Sequence, residues 1–365
     1  MSLLEAYQIE QGELRLYRAE RTQLPDILVL LRDAAEWMVS RQIEQWKPEM
    51  FTEEAIHDYF ESREIYIAYL NEAPAGLYTL QFDDPTYWKD KNDPDYGYLH
   101  RLTVHSGLRG LNLGPRLLQS AERIVQQRGK KGLRLDCVAH NRKLNHFYQM
   151  HGFRLMGVSD MGTRFASLYQ KSYSRAESEL DERIQLAFLQ KEDIPVLLEW
   201  VRHQTEEEYV QWAGAAWSFP LTEEQLLAEL EQANLPAESD RLLFKVMHAG
   251  NMVGHVGLFC IDRHHESARI GKVLIASPQD RGKGWGQQVI REALRIGFEG
   301  LNLHRMTLGV YDFNLRAIDV YTAAGFQREG IMRDQTKVGD RFWTLHEMGI
   351  LRNEWQARSA AHWQS

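Results

Sequence analysis

Arg281-Gly282-Lys283-Gly284-Trp285-Gly286 alternates three glycines with two cations and a tryptophan. A strand that turns through such a loop into a helix aims several main-chain N–H groups at one point, with the positive end of the helix behind them. That arrangement is an anion cradle, and a diphosphate is its natural guest. Gly282, Gly284 and Gly286 lack a Cβ, which permits positive φ and close approach of the main chain. Arg281 and Lys283 add charge that can reach a phosphate. A Walker A loop would end in Lys-Ser/Thr, and a dinucleotide fingerprint would open the first βα turn of its fold. Neither pattern is present, and a tight turn without ligand remains the plain alternative.

Asn314, Tyr321 and Gly325-Phe326 follow the loop, and the whole set occurs once before. Arg109-Gly110-Leu111-Asn112-Leu113-Gly114 stands 172 positions earlier, and Asn141, Tyr148 and Gly152-Phe153 stand 173 earlier. Pro25 and Phe51-Thr52-Glu53-Glu54 precede Pro195 and Leu221-Thr222-Glu223-Glu224 by 170. Landmarks held in register over that distance mean an internal duplication. In the first copy Asn112 replaces the middle glycine, and asparagine is among the few non-glycine residues that visit left-handed φ.

The elements that must position these loops repeat as well. Segments 13–18 and 183–188 alternate as opening strands, followed by helices over 27–39 and 194–203 and by helices capped at Thr52 and Thr222. Hairpins are expected at 65–70 with 76–82 and at 242–248 with 254–261. Strands 98–104 and 270–276 then enter the loops, which open helices over 115–127 and 287–298. Strands 133–139 and 305–310, a short helix after each asparagine, and two closing strands complete each copy. The expected division is 1–173 and 182–355, with a polar linker over 173–181 and a frayed tail after Trp355.

A chain of 365 residues suits two domains better than one core. Apolar residues at 44% and charged residues at 26% fit the globular class. No apolar run reaches membrane-span length and the first residues lack a signal pattern, so a cytoplasmic protein is expected, with no membrane partner. Cys137 and Cys260 do not match between copies, which argues against a disulfide or a metal site and suggests two reduced core thiols. A formal charge of −8 disfavours nucleic acid and mildly favours a cationic substrate.

The second loop resembles the signature of the GNAT superfamily of N-acetyltransferases, Gln/Arg-x-x-Gly-x-Gly/Ala, through Arg281, Gly284 and Gly286. Asn314, Ala317, Tyr321 and Gly325-Phe326 resemble its downstream element, and the first copy matches except at Asn112. The resemblance covers about 95–158 and 266–334. It implies an α/β fold repeated in tandem, each copy a mixed, mostly antiparallel sheet flanked by helices, with acetyl-CoA as donor. It also implies that the strands around each loop part, and that the donor's amide arm lies between them. Leu102 and Val104, or Leu274 and Ala276, would then offer main-chain groups, with Arg109, Gly110, Asn112, Gly114 and Asn141, or Arg281 to Gly286 and Asn314, near the donor. Ahead of the second loop, Trp212 and Phe219-Pro220 are similar to the branch that includes ribosomal-protein N-terminal and polyamine acetyltransferases.

Acyl transfer to an amine needs a neutral nucleophile, a polarised carbonyl and a proton for the departing thiolate. The resemblance implies direct attack in a ternary complex, with Tyr321 and Tyr148 as general acids and a primary amine of a small molecule or peptide as acceptor. Glu266 in the second copy, and Asp95 or His100 in the first, are the candidate bases; each is equally an ordinary network residue. His264-His265, read as strand neighbours, would face opposite sides and share no ion. Trp37, Trp46, Phe51 and Trp88, and Trp200, Trp212, Trp217 and Phe219, are either core or a frame for a cationic acceptor beside Glu206, Glu207 and Glu208. Two alternatives stay open: one copy is a non-catalytic acyl-CoA binding module, or the chain is a sensor without turnover. Monomer and homodimer are both compatible with a duplicated chain.

Overall fold

The computed structural model describes residues 1–43, 45–173, 184–214, 216–280 and 282–362. Most of the expected linker and Arg281 lie outside them. Two compact units divide the chain, 1–138 with 168–175 and 139–167 with 176–365.

In the first unit β1 (Ser2–Ile9) and β2 (Gly12–Arg18) form an antiparallel hairpin. The alternation of buried Leu14 and Leu16 with exposed Arg15 made β2 legible, whereas β1 is mostly exposed and carries no such signal. Helix α1 (Leu24–Ser40) starts on Pro25 and buries Ile27, Leu28, Leu30, Leu31, Ala34 and Ala35, one face at helical spacing. Thr52 caps α2 (Glu53–Ser62) by accepting from Ala55 N at 3.2 Å. Then come β3 (Glu64–Leu70), β4 (Ala73–Gln81), the short α3 (Pro85–Trp88), β5 (Tyr96–Val104), α4 (Leu113–Gln127) and β6 (Gly132–Val138). The strands lie in the order β1-β2-β3-β4-β5-β6, antiparallel except for β5 with β6.

Helix α5 (Arg142–Met150) and β7 (Arg154–Asp160) follow, before β8 (Phe165–Ser172). The repeat pattern reads them as the end of the first copy, whereas 139–167 form part of the second compact unit. Gln149 Oε1 accepts from Phe188 N at 2.9 Å, Arg142 Nη1 donates to Leu230 O at 2.9 Å, and Arg154 pairs with Glu292.

The second unit continues through β9 (Gln185–Phe188), α6 (Ile194–Val201), α7 (Glu206–Ala213), α8 (Glu223–Gln232), β10 (Leu242–His248), β11 (Asn251–Asp262) and β12 (Ser267–Ile275). It closes with α9 (Trp285–Arg295), β13 (Arg305–Tyr311), α10 (Leu315–Ala324), β14 (Gln327–Val338), β15 (Arg341–Leu351) and α11 (Arg352–His362). Strand order is β14-β15-β13-β12-β11-β10-β9, with β12 and β13 the parallel pair. Helix α9 buries Trp285, Val289, Ile290, Ala293 and Leu294. Helix α11 corrects the expectation of fraying after Trp355: Glu354 caps its start by accepting from Leu351 N at 2.8 Å, and the Trp355 ring packs on Phe298. Both units are mixed α/β assemblies, as expected. Among the described residues no helix is long and apolar enough to cross a membrane.

Candidate active site

The glycine loops have the same main-chain shape. Gly282 and Gly284 stand at φ +89° and +79°, and Gly110 and Asn112 at +88° and +58°. Asn112 thus holds the left-handed turn that glycine holds in the second copy. Neither Gly284 nor Asn112 makes a side-chain cap at the start of α9 and α4. A Cβ added to Gly284 or Gly286 would meet nothing within 4 Å, which leaves room for an anion against the N-terminus of α9.

The charges around the loops are partly spent. Lys283 Nζ pairs with Asp280 at 2.7 Å instead of standing free. The guanidinium of Arg109 lies 3.3 Å over the Trp37 ring. Sequence reasoning missed Arg316: its Nη2 lies 3.7 Å from where a Gly282 Cβ would sit, on the exposed side of α10. Its place inside the Asn314–Ala317 motif was the available signal. Trp285 is buried and packs against His248 with the rings tilted by 45° and their centres 4.5 Å apart.

The strands around each loop part. Parallel pairing of β12 with β13 covers Ser267↔Arg305 to Arg269↔Thr307 and stops; that of β5 with β6 covers Tyr96↔Gly132 to Leu99↔Leu135 and stops. A bulge follows in each, where β11 and β4 lose register against Lys272 and Arg101, which stand at φ +54° and +56°. Beyond it, Ala276 N donates to Val253 O at 3.0 Å and His105 N to Ala75 O at 2.9 Å. Successive residues of a strand direct their main-chain groups to opposite edges. Leu102 and Val104 therefore face the gap, as expected, whereas Leu274 and Ala276 face β11, and Val273 and Ile275 face the gap. The slip is one residue: the strands repeat at 171, the loops at 172.

Asn314 and Asn141 cap α10 and α5 by accepting from Ala317 N at 3.2 Å and Leu144 N at 3.1 Å. Two turns on, half-buried Tyr321 packs edge-on against Phe326, and burial pushes its hydroxyl up to about 12. Tyr148 is buried against Phe147 and Phe153.

Two candidate bases sit at the closed ends of the gaps. Glu266 immediately precedes the β12–β13 pairing, and Asp95 pairs with Lys131 ahead of Tyr96. His100, on the contrary, follows the last β5–β6 pair. Its Nε2 lies 3.1 Å from Asp84 Oδ2 and its Nδ1 3.3 Å from Asp136 Oδ1. Burial works against the charged ring, but the two carboxylates override it and raise the pKa to about 9. These three side chains are close enough to suggest an ion site, yet each ring nitrogen faces a different carboxylate, the geometry of an imidazolium. The second copy carries Gly271 and Gly309 at the matching positions.

Several expectations are corrected. His264 and His265 lie in the β11–β12 turn, held by Asp262, not on a strand. Cys137 is buried, but Cys260 is exposed. Glu208 forms a capping box with Thr205, and Glu207 pairs with Arg341. The aromatic faces meant for a cationic acceptor hold the chain's own cations: Arg101 over Trp46, Arg134 over Trp88 and Lys272 over Trp217.

Two family models match the chain, "Acetyltransferase (GNAT) family" over residues 31–153 and "Acetyltransferase (GNAT) domain" over 183–327. An uncharacterized N-acetyltransferase of Bacillus subtilis is 34% identical over 140 residues, 36% of this chain and 77% of that protein. A spermidine N(1)-acetyltransferase of Vibrio cholerae is 30% identical over 133 residues, 36% of this chain and 76% of that protein. A solved spermidine N-acetyltransferase from Vibrio cholerae, in complex with CoA and spermine, aligns at 24% identity and TM-score 0.42, covering 48% of this chain and 98% of that one. The two family models and the curated relatives agree with the parted strands and the paired loops: the chain belongs to the GNAT family of N-acetyltransferases, as two tandem domains.

Proposed function

We propose that the chain moves an acetyl group from acetyl-CoA to a primary amine of a small molecule or peptide by direct attack within a ternary complex, with its principal catalytic centre in 182–355. Acyl transfer from a CoA-based donor to an amine follows from the family. The observation that carries the finer reading is the end of β12–β13 pairing at Arg269↔Thr307, ahead of an uncapped helix N-terminus with open space at Gly284 and Gly286.

The first-turn amides of α9 hold the diphosphate, with Arg316 supplying charge. Val273 and Ile275 hydrogen-bond the amide arm from the open edge of β12. The amine nitrogen forms a bond to the thioester carbon as the C–S bond breaks, the amine's proton leaves to solvent, and Tyr321 serves the departing sulfur. A phenol at about 12 stays protonated at neutral pH. Full transfer to a thiolate of ordinary pKa, about 8.5, is uphill by roughly 3 units, so the hydroxyl acts by a hydrogen bond that strengthens as sulfur gains charge.

Relatives named as spermidine N(1)-acetyltransferases and a formal charge of −8 support a cationic acceptor of the polyamine class. For the first copy, Arg109 stacked on Trp37 and the buried ring of Tyr148 favour the second reading, an acyl-CoA binding domain with little or no turnover. The test is release of free CoA thiol from acetyl-CoA, with and without spermidine. Release that depends on the amine supports the enzyme, and binding without release in any panel of amines supports the sensor.

A further inference from the structure

Arg101 and Lys272 are non-glycine residues in left-handed conformation, each the bulge residue of the strand that enters a glycine loop. For an L residue that conformation costs on the order of 1 kcal/mol, and something must hold it. The side chains show what does. Arg101 lies 5.0 Å from the Trp46 ring centre, 5.5 Å from Phe51 and 5.6 Å from Tyr59. Lys272 Nζ lies 4.4 Å from both Trp217 and Phe259. Each cation follows its tryptophan by 55 residues, so the pair was duplicated as a unit. Trp46 and Trp217 are buried core residues that cannot easily follow a moving strand. In the second copy His255 adds a further tie, its Nδ1 donating to Lys272 O at 3.0 Å.

We propose that these cation–π pairs, Arg101 on Trp46 and Lys272 on Trp217, are latches that hold the bulge and so keep β5 from β6 and β12 from β13 apart, presetting the gaps that receive the amide arm of a CoA thioester. The inference rests on the donor-site reading above. Position supports it, because strand pairing ends two residues before Arg101 and three before Lys272. Were the bulge to relax, the next residues would shift by one and turn Val273 and Ile275 away from the gap. Chemistry supports it as well. Lys272 is buried and desolvation pulls its pKa down to about 8, so the folded state is penalised for keeping that charge at neutral pH. An apolar residue would fill the same core without the penalty. Arg101 and Lys272 are thus positioning residues acting through the main chain.

Three pairs of substitutions, each made in both copies of the full chain, separate the possibilities by calorimetric titration with CoA. Arg101→Leu with Lys272→Leu removes the latch but keeps a side chain that resists positive φ; CoA affinity should fall about tenfold. Arg101→Gly with Lys272→Gly removes latch and strain together, and affinity should recover to within about threefold of wild type. Arg101→Lys with Lys272→Arg keeps the cation and should bind as wild type. Wild-type affinity in the leucine pair overturns the latch, and equal losses in the glycine and leucine pairs overturn it in favour of direct contact with CoA. If the leucine pair does not fold, Trp46→Phe with Trp217→Phe weakens the ring face while keeping the packing, and unchanged affinity there also overturns it. Failure of the donor-site reading looks different: Gly284→Val would then leave CoA binding untouched.

Discussion

Tyr321 is a half-buried phenol assigned to the departing sulfur in the proposed mechanism, and Tyr321→Phe removes its hydroxyl while keeping the ring's packing on Phe326. Tyr321→Phe is expected to lower kcat by roughly 10²-fold or more with little change in KM for the acyl donor. Equal kinetics in the variant would remove the tyrosine from the mechanism. His100 permits a test of charge at the parting point of the first domain. Its pKa is raised from 6.5 to about 9, so its contribution to stability is complete below about pH 6.5 and disappears as pH rises through about 9. His100→Gln should therefore cost about 1–3 kcal/mol at pH 6 and almost nothing at pH 10, read as the difference in thermal midpoint. A loss independent of pH would mean packing, not charge. Tyr321 was legible from its spacing to Asn314 and Gly325. Arg101 and Lys272 were not, because their conformation depends on the register of β5 and β12 against neighbouring strands, which no local pattern records.

In the proposed donor site the loops and the helices they open are the binding elements, and main-chain geometry decides more than side-chain charge. Gly284 at φ +79° is the N-cap of α9, a position where a β-branched residue is strained and projects into the anion space. Gly284→Val should destabilise the fold by about 1–2 kcal/mol and weaken CoA binding in the second domain at least tenfold. Asn112→Gly is the converse: it should tighten or preserve CoA binding in the first domain, and a marked loss would show that the asparagine side chain itself is used. Strand alternation, helix-start prolines and threonine caps made most of these elements readable. The edge of β12 was misread by one residue because the second copy has one more residue than the first between strand and loop, so the loops' offset does not carry back to Leu274 and Ala276. The exposed strand β1 gave no burial pattern to find.

At the scale of the whole molecule, duplication has produced two similar cradles with different surroundings. The second domain has Gly271 and Gly309 where His100 and Asp136 stand in the first, and the side chains of Arg269 and Leu345 take up the space beside Gly309. The legible part was the repeat itself, since four landmarks keep their spacing through any folding detail. Both loops share left-handed geometry and uncapped helix starts, so titration with CoA should give two sites per chain; a single site would mean that one cradle has lost its guest.

The most direct check is calorimetric titration of the full chain with CoA, wild type beside Gly284→Val. Saturable binding to the wild type, with one site lost in the variant, is the expected result. A wild type that ignores CoA, or a variant that binds it at the same affinity and stoichiometry, would contradict the assignment of the second glycine loop as the donor cradle.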